Sequence, residues 1–266
     1  MITWKIKLWR HVGAAAMLTA AAACGQPAAT SAPAAEPPPP AGASGESGGG
    51  GEQGEAGVAE AFDGLSGDAR LALHLQHLKG FLLIADRMNS ENHPEEAGVL
   101  VGQGVLEGYE EKAADFGAFD VSKLRAASDG SAKTSAQLAP KIHDAEAVVD
   151  AARAHLSVNH ADLAARMIDI STGLYQNVNQ SDFVDPTEYQ HSLGAALSAK
   201  DALVAGRDAM RRQNARAYDE AAAEIDRFIA LWPQSTAPDH PTAYRDVVRQ
   251  ASRVRLALSP FLDATD

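Results

Sequence analysis

An all-α fold is predicted: an antiparallel helical bundle of about seven main helices on a disordered N-terminal tether. Three observations predict it. Apolar residues recur every three or four positions from about Gly57 onward, as in Leu71, Leu75, Leu78, Leu82 and Ala85. Strand signals are nearly absent, with no sustained two-residue alternation. Proline and glycine fall between the periodic stretches, where a helix must begin or end.

The elements follow in order. Residues 1–23 carry Lys5, Lys7 and Arg10, then an apolar run from Val12 to Ala23. A charged start, a short apolar core and small residues at its end predict a secretory signal, too short for a membrane span of about 20 residues. Residues 24–56 contain Pro37 to Pro40 and Gly48 to Gly51 and almost no large apolar side chain. Such a segment cannot bury enough surface to offset its ordering entropy, so a disordered tether is expected.

Residues 57–266 are long enough for one domain with its own core. Periodicity places its helices at roughly 67–89, 94–116, 132–157, 160–180, 186–212, 214–232 and 241–258. A short segment lies near Lys123, ahead of Gly130. Pro94, Pro186 and Pro241 stand where first turns are expected, and Pro233 and Pro260 just after helix ends. Pro140 predicts a kink or a later start for the third helix. In the second, Gly98/Gly102 and Gly104/Gly108 weaken the helix but would admit a close neighbour; a bent or broken helix is the alternative. Arg211 and Arg212 suit the C-terminal dipole of the fifth.

Removing residues 1–23 takes away three cations and no acid, which lowers the net charge from −12 to −15. An acidic surface argues against nucleic acid and against lying flat on anionic lipid. Cys24 is the only cysteine, so an internal disulfide and a thiolate metal cluster are excluded. There is no Gly-x-Ser-x-Gly elbow, no phosphate-binding glycine loop and no His-Glu-x-x-His helix. A non-enzymatic role is expected.

The remaining chemistry lies in His–carboxylate pairs three apart, which share a helix face. His143/Glu146 and Glu188/His191 are the candidate metal ligands, with iron or zinc as the cation; His93/Glu96 has the same spacing. His74 falls on the apolar stripe and His77 on its flank, where a core role is the simpler expectation. A hairpin turning near Asn92 sets His77 opposite Glu107, but an α-helical wheel turns Glu107 away from the Val101/Val105/Tyr109 face. Glu110, Glu111 and Asp115 read as a solvated face.

The tetrapeptide Ala21-Ala22-Ala23-Cys24 resembles the lipobox of bacterial lipoproteins, with Ala21 where leucine is usual. The resemblance implies a diacylglyceryl thioether on Cys24, cleavage before it and acylation of the new amine. Gly25 in place of aspartate implies the periplasmic face of the outer membrane of a Gram-negative cell rather than the inner membrane. Lys141-Ile142-His143-Asp144-Ala145-Glu146 is similar to the Gly-x-His-x-x-Glu signature of imelysin-like periplasmic proteins, with Lys141 in place of glycine. Ile229-Ala230-Leu231-Trp232-Pro233 is similar to helices of iron-permease-associated domains. These resemblances imply an all-helical protein linked to iron uptake, with His143 and Glu146 as ligands. The sequence thus predicts a lipid-anchored periplasmic binding protein for a divalent or iron cation. The alternative is an adaptor lipoprotein that docks an envelope protein.

Overall fold

The computed structural model describes residues 58–179 and 183–262. The signal segment, Cys24 and the 24–56 tether lie outside the described residues. Within them the fold is an all-α bundle, whose only strand-like feature is an isolated bridge between Asn179 and Val184. No described helix is long and apolar enough to cross a membrane.

Helix α1, Gly67–Ser90, is the centre of the bundle. It buries Leu73, Leu75, Leu78, Leu82 and Ile84 and also His74, Gln76, Lys79 and Asn89. A helix buried on nearly every side must be surrounded, and longer helices pack around α1. These are α2 (Pro94–Gln103), α5 (Ser135–Arg153), α6 (His160–Tyr175) and α7 (Pro186–Ala205). The short α3 (Ala113–Phe116) and α4 (Ser122–Ser128) link α2 to α5. Helices α8 (Arg207–Ile229) and α9 (Tyr244–Leu262) close the far side, α9 lying against α6 and α8.

Local chemistry sets most boundaries. The side chains of Thr134, Asn159 and Asp185 accept hydrogen bonds from the first free amides of α5, α6 and α7, as capping requires. Pro186 then occupies the first turn of α7. Asn214 leaves helical geometry at φ −157°, and its Oδ1 accepts from the Ala217 amide. α8 is therefore two segments, the second capped by Asn214, that meet near the break expected at 213. A second break falls at Gly206. Arg211 therefore sits in the last turn before the break at Asn214, as expected, and pairs with Asp219 at 2.6 Å.

Two proline expectations are corrected. α9 starts at Tyr244 and not at Pro241, because Thr242 is held in the connection: its Oγ1 donates to Leu231 O, and its carbonyl accepts from Tyr175. Pro260 lies inside α9 and not beyond it. The Leu256 carbonyl that loses the proline amide is satisfied by Ser259 Oγ at 2.8 Å. α5 runs unbroken through Pro140.

The single helix expected over 94–116 is also corrected. After α2 the chain makes a π turn, Gly104–Tyr109, then a 3₁₀ turn, Glu110–Lys112, before α3. The glycines explain where. A Cβ on Gly104 would lie 2.8 Å from Phe81 Cβ, and one on Gly108 3.3 Å from Leu78 Cδ1. Here the backbone presses directly on α1. Gly98 and Gly102 meet nothing closer than 4.0 and 3.6 Å, so only the second glycine pair serves close packing.

α1 and α7 cross with their backbones in close contact. A Cβ on Gly194 would stand 2.7 Å from the Gly80 carbonyl oxygen. Beside it a buried polar seam locks the same helices: Gln76 Nε2 donates to Ser198 O at 2.8 Å, and Ser198 Oγ donates to Gln76 O.

Candidate functional site

Gly80 and Gly194 each follow a histidine by three positions, so the close crossing also brings His77 and His191 towards each other. Both open into a cavity of about 540 Å³ between α1, the π turn and α7, roofed by the helical turn at 58–61 and Phe62. This volume lies in the range of small-molecule pockets. One part of the lining is apolar, with Phe62, Phe81 and Leu174. Among the described residues, the other part carries four carboxylates, Asp63, Glu107, Glu111 and Glu188, against two cations, Arg70 and Lys112.

Each histidine has a defined setting. His191 is buried against the edge of Phe81, with ring centroids 4.8 Å apart. Its Nε2 lies 3.2 Å from Gln103 Oε1 and its Nδ1 3.8 Å from Glu107 Oε2. Burial pushes its pKa down to about 4. His77, half-buried, tilts against the other side of Phe81 at 5.4 Å. Burial, then repulsion from His191 and His74, pushes it down to about 3. His74 is buried and stacks on Phe62 at 4.3 Å, with Nε2 3.0 Å from Asp115 Oδ2. Burial again lowers its pKa, against the pull of Asp115. Desolvation disfavours the charged ring in all three, so they are neutral at pH 7.

The carboxylates divide the cations between them. Asp115 accepts from Arg70 Nη2 at 3.2 Å, and that bond holds its carboxyl below the usual range. Lys112 pairs with Glu111 at 3.3 Å. Glu110 and Glu111 are exposed, as expected of a solvated face, while Asp115 is half-buried beside His74. The guanidinium of Arg70 also lies 5.6 Å over the Phe62 ring.

The candidate ligand pairs read from spacing are not brought together. Glu188 and His191 both line the cavity. His143 and Glu146 share a turn of α5 but serve different partners. His143 is mostly exposed, 3.5 Å from Asp86. Glu146 points inward to the buried Lys79 at 3.4 Å, and burial raises its pKa. Lys79 and His77, two positions apart on α1, face different neighbours, which keeps the two pairs separate. His93 and Glu96 form a 3.2 Å pair at the surface. Among the described residues no three His, Cys, Asp or Glu side chains are grouped so as to hold a metal ion.

Glu107 is exposed, off the buried Val101/Val105 face as expected, and it also lines the cavity. The α-helical wheel turns it away from His77, yet both line one cavity. The π turn adds a residue to the helix and rotates the residues beyond it, and this carries Glu107 round to His191. The glycines at 104 and 108 were the sequence signal for that irregularity. Phe62, Arg70 and Lys112 carried no signal, since their roles arise from chain segments meeting in space.

No protein-family model matches the chain, and no curated protein or solved structure is found similar to it. The functional reading therefore rests on the residues themselves.

Proposed function

We propose that this chain is a lipid-anchored, non-enzymatic binding protein of a Gram-negative envelope, tethered through Cys24, that takes a cation into the α1–α7 cavity. One observation carries the reading. Three neutral histidines converge on a cavity whose carboxylates outnumber its cations four to two among the described residues. Neutral imidazoles offer lone pairs without opposing positive charge, and the acidic lining attracts it. The residues assigned to the cation are His77, His191, Glu107 and Glu188. His143 and Glu146, the imelysin-like pair, are left outside the cavity. Iron or zinc remains within this reading as a cation to be tried.

The test is a melting-temperature screen of the full chain in detergent, with divalent and organic cations and matched anions. Stabilisation by cations alone is expected, and stabilisation by anions alone would refute it. Fractionation of the envelope tests the anchor.

An adaptor role has one observation in its favour. Val99 and Leu106, on α2 and the π turn, are 62% and 58% exposed, and exposed apolar side chains mark docking surfaces when they are contiguous. A stoichiometric crosslinked partner, lost on changing both to Ser, would favour it.

A further inference from the structure

We propose that residues 58–65 form a movable strap over the α1–α7 cavity, latched by Phe62 and Arg166 and hinged at Gly64 and Gly67. The proposal concerns access and holds whatever the cavity takes, so its test uses no ligand.

The first argument is how the strap is held. It is one helical turn, 58–61, followed by Phe62 and a bend into α1. Ala59, Glu60, Asp63 and Gly64 are exposed, and only Ala61 of the strap is buried. Its backbone hydrogen bonds are internal: the amides of Phe62, Asp63 and Leu65 donate to the carbonyls of Ala59, Glu60 and Phe62. Among the described residues, one side chain supplies the hydrogen bonds that tie it to the bundle. Arg166 Nη1, on α6, donates to Ala61 O at 2.6 Å and to Asp63 O at 3.3 Å. A single helical turn is not stable by itself, so the closed position depends on such latches.

The second argument is the other latch. The Phe62 ring stacks on the buried His74 ring of α1, with centroids 4.3 Å apart and planes at 29°. It also takes the Arg70 guanidinium at 5.6 Å. Phe62 thus covers a histidine that lines the cavity together with His77. Both latches are side-chain contacts, which can part without breaking a hydrogen bond inside α1 or α6.

The third argument is the joints. Gly64 and Gly67 have φ of +75° and +54°, where a side chain is strained. A Cβ at either would meet nothing within 4 Å. Close packing, which explains Gly104 and Gly194, therefore does not explain these two. What they supply is backbone freedom at the junction with α1, and a few such residues absorb the swing of a lid. The strap precedes every named helix in the chain, so its swing displaces none of them. Behind it lies a cavity of small-molecule size, whose occupant needs a way in.

The experiment is histidine footprinting of the full chain in detergent at pH 7 with diethyl pyrocarbonate, which acylates neutral imidazole. Mass spectrometry reads the products, and amide hydrogen exchange is measured in parallel. In the parent, amides 62–65 should exchange before those of α1, and His74 should react more slowly than the exposed His143. Arg166→Gln removes a latch and leaves the covering Phe62 ring in place. It should raise the rates at His74 and His77 about tenfold, the ratio that loss of a charge-assisted hydrogen bond produces. His143 and the amides of α1 should be unchanged. If Arg166→Gln loses its helical circular dichroism, Gly64→Ala, which strains the closed backbone alone, carries the same expectation. Unchanged rates at His74 and His77 in a folded variant overturn the strap and leave a fixed turn. A rise shared by His143 and the α1 amides, which is general loosening, overturns it as well. So does a parent whose 62–65 amides exchange no faster than those of α1.

Discussion

Gly194→Ala should destabilise the protein, although alanine is the better helix former by about 1 kcal/mol. The new Cβ would lie 2.7 Å from the Gly80 carbonyl oxygen, 3.2 Å from its carbon and 3.0 Å from Ile84 Cγ2. Two of these atoms are backbone, which no rotamer change can move. Reaching ordinary van der Waals separation requires α1 and α7 to move apart by roughly 0.7 Å, and a gap of that size forfeits a quarter to a half of the dispersion attraction along the crossing. Overpacking of this kind costs about 1–3 kcal/mol, and a backbone clash belongs at the upper end. After the helix-propensity gain, a net loss of about 2 kcal/mol remains, or roughly 4–8 °C in Tm for a domain of this size. His77 and His191 lie one turn before the two glycines, so ligand binding should weaken as well. Gly98→Ala is the control. Its Cβ would meet nothing nearer than 4.0 Å, so that variant should melt higher than the parent. The assay is thermal unfolding followed by circular dichroism. A Gly194→Ala protein melting at or above the parent would refute the close-crossing argument.

Three further outcomes are expected. Lys79→Met should cost about 1–2 kcal/mol in urea unfolding, because the partly buried Glu146, 3.4 Å from Lys79, loses its charged hydrogen-bond partner while Asp150 keeps Arg153; unchanged stability would count against the pairing. His77 and His191 fold with pKa values lowered from 6.5 to about 3 and about 4. Below pH 6.5 the unfolded chain therefore binds protons that the folded chain does not, so Tm should fall between pH 6.5 and 4 and be insensitive to these groups above 7. His191→Gln should flatten that slope, and a Tm that rises on acidification would contradict it. Cys24→Ser should move the protein from the membrane to the soluble envelope fraction and remove acyl mass from its N-terminus, whereas an unchanged distribution would refute the anchor.

The fold was readable wherever a local rule decides the structure. Apolar spacing placed α1, and Pro94 and Pro186 marked true first turns. Pro241 and Pro260 misled because distant partners decide there: Thr242 is tied to Leu231 and Tyr175, and Ser259 repairs the carbonyl that Pro260 leaves open. The site was readable in part for the same reason. The i, i+3 spacing correctly put Glu188 and His191 on one face, and it put His143 and Glu146 on one face equally well. Spacing does not say what packs against a face. Lys79 takes Glu146, while the cavity takes His191. The wheel put Glu107 off the buried face, where it lies, but a wheel assumes an unbroken α-helix and so missed the cavity beside it, where Gly104 and Gly108 let Phe81 and Leu78 press in and the π turn forms.

The central claim is that the cavity between α1 and α7, and not the α5 surface, receives the cation. Its most direct measurement is imidazole nitrogen NMR of the full chain, labelled at histidine and titrated at pH 7 with the divalent and organic cations of the melting screen. The account predicts that His77 and His191 are neutral before addition and that their resonances move on addition, while His143 stays still. Movement of His143 with His77 and His191 unchanged would contradict it.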